Sequence, residues 1–136
     1  VPRLGVGLLS PLFLHRRDSQ GRRRVLPVPQ FADLFLAAAR VLSGLFSLGG
    51  QPLAADFKAL KAAAQNVRLV EHCYQPFHQP KWSSRSEQRF TLRGVIGGGV
   101  YADVPWALVP WMLWGGRFHV GPHRVAGAGG WRLVLD

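Results

Sequence analysis

Phe118-His119-Val120-Gly121-Pro122-His123-Arg124-Val125-Ala126-Gly127-Ala128-Gly129-Gly130-Trp131-Arg132-Leu133-Val134-Leu135 runs from an apolar start through a glycine-punctuated loop into a closing strand. Glycines at this spacing let the backbone take positive φ and let another chain approach closely. Successive N–H groups in such a loop can form an anion-binding concavity. Arg124 at its tip makes phosphate the natural ligand, since a guanidinium fork can bond two oxygens at once. The same glycines also suit a tight strand connection, and the loop alone does not separate the two readings.

Moving back from the loop, residues 105–116 read as a helix holding Trp106, Trp111 and Trp114, with Pro110 expected to kink it or delay its start. Core packing is the default for such rings, but one helix face cannot neatly hold all three, so at least one is expected at an edge or contact surface. Residues 89–103 alternate, with Phe90, Leu92, Ile96 and Val100 on one face and Thr91, Arg93, Val95 and Tyr101 on the other. Gly94, Gly97, Gly98 and Gly99 should weaken and bulge this strand. A basic, aromatic sheet face would suit a nucleic-acid strand, because bases stack on rings while arginines take phosphates. Residues 67–73 read as a further strand, and 74–86 as a loop with Pro76, His78, Pro80, Lys81, Trp82 and Arg85.

Phe31, Leu34, Phe35, Ala38, Val41, Leu42 and Leu45 recur at helical spacing between Pro29 and Gly49, an amphipathic helix whose stripe is core. Leu53, Phe57, Leu60 and Ala64 mark a second, shorter helix ending near Asn66. Residues 4–14 form a strand bulged or ended at Ser10-Pro11. Between strand and helix lies a loop with five arginines in nine residues, Arg16, Arg17, Arg22, Arg23 and Arg24, suited to phosphate contact. The order is strand, helix with an extra helix, two strands, helix, strand. That is βαββαβ, the α+β ferredoxin-like pattern.

With 136 residues, a single domain at 1–136 is expected, and nearly half the residues are hydrophobic, which excludes a disordered basic tail. Seventeen Lys and Arg against seven acids leave a net charge of +10, which favours polyanionic partners. Cys73 is alone, so an internal disulfide and a cysteine-rich metal site are excluded. No His-x-Glu spacing and no cysteine pair suggest a metal, and no metal or cofactor is expected. No signal-peptide pattern opens the chain, and the apolar run 104–114 is too short to span a bilayer as a helix. A cytoplasmic setting without membrane contact follows as the expectation. The chain opens on Val1 and has its one methionine at Met112, which reads as a fragment or excised domain.

Taken in order, these motifs resemble the RAMP superfamily, and more narrowly the CRISPR-associated endoribonucleases of the Cas-six family. The resemblance rests on Gly121-x5-Gly127-x-Gly129, on Lys81-Trp82-Ser83-Ser84-Arg85-Ser86-Glu87-Gln88, on residues 92–101, on the 106–116 helix, and on Leu8-Leu9-Ser10-Pro11-Leu12. The sequence departs from the pattern at His119, where the fuller loop carries its first glycine, and at Pro122-His123. The resemblance implies a C-terminal RAMP domain with a glycine-rich loop, the N-terminal half being absent. It implies metal-independent cleavage of precursor CRISPR RNA by the ribose 2′-hydroxyl. In that family the catalytic histidine usually belongs to the N-terminal half, so no catalytic position carries over, and whether this chain is itself an enzyme stays open. His123 beside Arg124, and then His15 among arginines, are the local candidates. Implied RNA-binding residues are Gly121, Arg124, Gly127, Gly129, Lys81, Trp82, Arg85, Arg89, Arg22, Arg23 and Arg24. The expected partner is CRISPR repeat RNA, with other CRISPR effector subunits besides and no DNA. The alternative is a non-catalytic RAMP subunit or scaffold of an effector complex.

Overall fold

Alternation along Arg3–Leu8 (β1) buries Leu4 and Val6 and leaves Arg3 outside, the period-two signature of a strand with one covered face. The computed structural model describes residues 1–50, 56–122 and 127–136. In it β1 pairs antiparallel with Gly98–Ala102 (β7) on one side and Trp131–Leu135 (β8) on the other. Arg68–His72 (β4) joins β7, so the main sheet runs β4-β7-β1-β8. Two further hairpins stand apart: His15–Arg17 (β2) with Arg23–Val25 (β3), and Gln75–Ser83 (β5) with Gln88–Ile96 (β6).

Helices cover one face of the main sheet. Phe31–Leu48 (α1) buries Phe31, Leu34, Phe35 and Ala38, as its spacing predicts. By length and composition α1 could also cross a membrane, but the packing makes it a core helix. Phe57–Gln65 (α2) opens on Asp56, whose carboxylate accepts the Ala59 N–H. Leu53, read as the start of this helix, lies outside the described residues. Trp106–Leu108 makes a 3₁₀ turn before Val109–Phe118 (α3), so Pro110 sits in the first turn, where a missing N–H costs nothing. It delays the helix and does not kink it. Trp131 locks α3 to β8 by donating its indole N–H to the Met112 carbonyl at 2.8 Å.

Three expectations need correction. The strand expected over 4–14 ends at Leu8; the Pro11 nitrogen cannot donate, and only Leu12 returns, to bridge Val95. The stretch read as a loop from 74 to 86 is mostly β5. Val95 spends both backbone groups on Leu12, so its β5 counterpart Pro76 faces a position that needs no donor. Pro80 has the same parity. The single strand expected over 89–103 breaks at Gly97, whose φ is +107°. A side chain there would collide with the Cys73 carbonyl. The break sends Tyr101 into the core, fully buried, so it shares no nucleic-acid face with Arg93.

Candidate nucleic-acid interface

The glycine loop begins and ends as its spacing demands. Gly121, Gly127 and Gly129 all have positive φ, and His119, standing where the resembling pattern has glycine, has φ +63°. The His119 Nδ1 lies 3.1 Å from both the Gly127 and Ala128 carbonyls, tying the two ends of the loop together. His119 is therefore a structural residue. The loop base is also tied to the Ser10-Pro11 segment. Gly129 donates its N–H to the Pro11 carbonyl at 2.9 Å, and Gly130 donates to the Ser10 hydroxyl at 3.1 Å. Those two amides are committed internally, so the expected cradle of bare N–H groups does not extend to Gly129. His123 and Arg124 lie outside the described residues.

Beside the loop is a cleft of ≈390 Å³ whose lining includes His15, Arg23, Arg40, Gly121 and Pro122. It is floored by Phe13, Ala37 and Val41, and no carboxylate lines it. Four segments build it: the chain entering β2 at residues 13–15, strand β3, one edge of α1, and the start of the glycine loop at Gly121-Pro122. Arg40 was not singled out in the sequence. Its only signal is that it is the one cation in α1, set between Ala39 and Val41.

Asp18 and Asp33 fix the arginine hairpin. Asp18 accepts the Gln20 and Arg22 N–H groups at 2.9 Å and the Arg24 Nε at 3.2 Å. The Arg22 N–H, ahead of Arg24 and Gln20, holds the Asp18 carboxyl below its ordinary value. Asp33 caps α1 through the Gln30 N–H and accepts the Arg16 guanidinium at 2.6 Å, joining β2 to the helix start. Arg17 bonds the Gly21 carbonyl within the hairpin. Arg22 and Arg23 make no ion pair among the described residues, and Arg23 lines the cleft.

Lys81, Trp82, Arg85 and Arg89 form a second group at the far end of the β5–β6 ribbon. Trp82 sits directly opposite Arg89, and Lys81 opposite Phe90. Arg85 occupies the connecting turn. Trp82 is 60% exposed and Phe90 45%. On the Trp82 face, further down, Arg93 and His78 meet at 3.2 Å. The ribbon's base meets the cleft where Phe77 packs edge-on against Phe13, at 6.1 Å. From Phe77 to Trp82 the ribbon extends about 17 Å. Among the described residues no three His, Cys, Asp or Glu side chains gather as metal ligands would.

No protein-family profile matches the chain, and no curated protein does. Solved structures do. A Cas6 product complex is 20% identical with a TM-score of 0.63, over 98% of this chain and 52% of that one. Thermus thermophilus Cas6 is 13% identical with a TM-score of 0.62, over 98% and 53%. A Cas6-RT-Cas1–Cas2 complex is 16% identical with a TM-score of 0.68, over 99% of this chain and 14% of that one. The chain spans about half the length of the stand-alone Cas6 chains it resembles. The likeness shows that the chain shares the α+β fold of these Cas6 structures.

Proposed function

We propose that this chain is a ferredoxin-like RAMP domain that holds CRISPR repeat RNA for a metal-independent endoribonuclease. The observation that carries the reading is the cleft where Arg23, Arg40 and His15 meet the start of the glycine loop. Its size is within the ~300–1,000 Å³ of ordinary ligand clefts, and its lining pairs cations with a backbone bend. Such a site fits a phosphodiester with its ribose. The exposed Trp82 beside Arg89 supplies what a single-stranded flank requires, a ring for a base and a guanidinium for its phosphate.

Within this reading, RNA lies from the ribbon tip toward the cleft. Arg23, Arg40 and Arg124 neutralise the phosphate, and His123 and His15 are the candidates on this chain for accepting the 2′-hydroxyl proton. The Cas6-RT-Cas1–Cas2 likeness supports CRISPR subunits as further partners.

The test is titration of a stem–loop repeat RNA with the 136-residue chain, in EDTA, with product analysis. Arg23→Ala and Arg40→Ala should each weaken binding and reduce the salt slope by about one unit. Cleavage leaving a 2′,3′-cyclic phosphate would assign the chain catalysis, and binding without cleavage would make it a holder only. Absence of binding at low salt would reject the RNA reading.

A further inference from the structure

Helix α3 breaks the rule that a surface helix turns a polar face outward. Leu113, Trp114 and Phe118 on it, and Phe46 on α1, are each 46 or 47% exposed. Phe46, Trp114 and Phe118 join Leu42, Pro110 and Trp111 in lining a groove of ≈450 Å³ between the two helices. Every lining side chain is apolar. We propose that this groove receives an acidic, amphipathic helix of a partner protein, independently of the RNA site.

Charge and shape select that occupant. Arg117 follows Trp114 by one turn of α3, and Lys58 and Lys61 lie on α2, whose Phe57 packs against Trp111 at 5.4 Å. The C-terminal half of α1, all of α2 and all of α3 contain no Asp or Glu, and the adjoining Asp56 is engaged in capping α2. An apolar floor with a basic rim complements a helix that has large apolar side chains on one face and acids beside them. A second copy of the chain would bring the same basic rim and another +10 of charge. RNA finds no cation in the floor, and Trp114 and Phe118 already stack on each other at 5.9 Å and 26°. A concave channel suits a rod better than a bilayer surface.

The probe is a display library of randomised amphipathic 18-residue peptides, selected on the chain and counter-selected on Phe46→Ser/Trp114→Ser. Both positions are half exposed, so the variant should fold, and a wild-type circular-dichroism spectrum with a cooperative urea melt confirms this. Enriched peptides should carry apolar residues at i, i+3, i+4 and i+7 with a net acidic remainder. Each should bind the double variant about ten-fold more weakly or worse, and a Trp106→Ser control normally. The proposal is overturned by no enrichment, by neutral or basic winners, or by binders that tolerate the double variant. It is equally overturned if the groove substitutions abolish self-association in sedimentation or flotation with anionic vesicles, which would give the groove to a second copy or a membrane.

Discussion

Tyr101 donates its hydroxyl proton to the Pro29 carbonyl at 2.8 Å, so the 2.7 Å contact with Tyr74 must be donated by Tyr74. Burial pushes Tyr74 up to about 12 from an ordinary 10.0, and burial raises Tyr101 as well. Each is an acid that the fold keeps neutral. Tyr74's contribution is therefore whole below about pH 10 and is lost as pH climbs toward about 12. Tyr74→Phe should cost about 0.5–1.5 kcal/mol at neutral pH and make the alkaline fall in stability shallower, read by urea melts across pH. An unaltered alkaline slope would mean that Tyr74 already ionises in the fold. Gly129 sets a steric limit: its φ is +82°, and a Cβ would strike the Val120 carbonyl. Gly129→Ala should lower stability by about 3 kcal/mol or more. A urea midpoint matching wild type would show that the loop base can rebuild around a side chain.

At the scale of elements, what could be read was whatever repeats locally. The stripe from Phe31 to Leu45 spaces itself as α1 requires, and Pro110 announced a late start to α3. The β5–β6 ribbon was concealed because Pro76 and Pro80 read as breakers. Only a partner on the other side of Val95, namely Leu12, shows that the prolines face positions needing no donor. The cleft was concealed for a related reason: Gly121 reaches Phe13 and Leu14 across most of the chain, and no periodicity encodes that meeting. The motif at 81–89 did locate the ribbon tip, though not its strand character. Trp82→Ala should weaken single-stranded RNA binding by about 1–3 kcal/mol if a base stacks there, with Trp82→Phe retaining most of the affinity. Because Trp82 is 60% exposed, the urea midpoint should not move. A shifted midpoint with unchanged affinity would make the ring structural.

For the whole molecule, the issue is whether cleft and ribbon tip act on one RNA. A +10 chain attracts any polyanion, so affinity alone is uninformative. The informative quantity is how affinity responds to salt. Simultaneous engagement of Arg22, Arg23, Arg40, Lys81, Arg85 and Arg89 should give log K against log salt a slope of about −4 to −5, each phosphate contact contributing about 0.7–0.9. Contact by one group alone should halve that figure or less. Arg23→Ala in the cleft and Trp82→Ala on the ribbon lie far enough apart for their losses to add in log K, within about 0.5 kcal/mol. Additivity holds only if the same RNA molecule touches both groups. Were the RNA to choose between them, the first substitution would move it wholly to the other group, and the second would then cost far more than it does alone. Long and short RNAs separate the cases, since only a strand long enough to cover the ribbon's length should show the steep slope and the additive losses together.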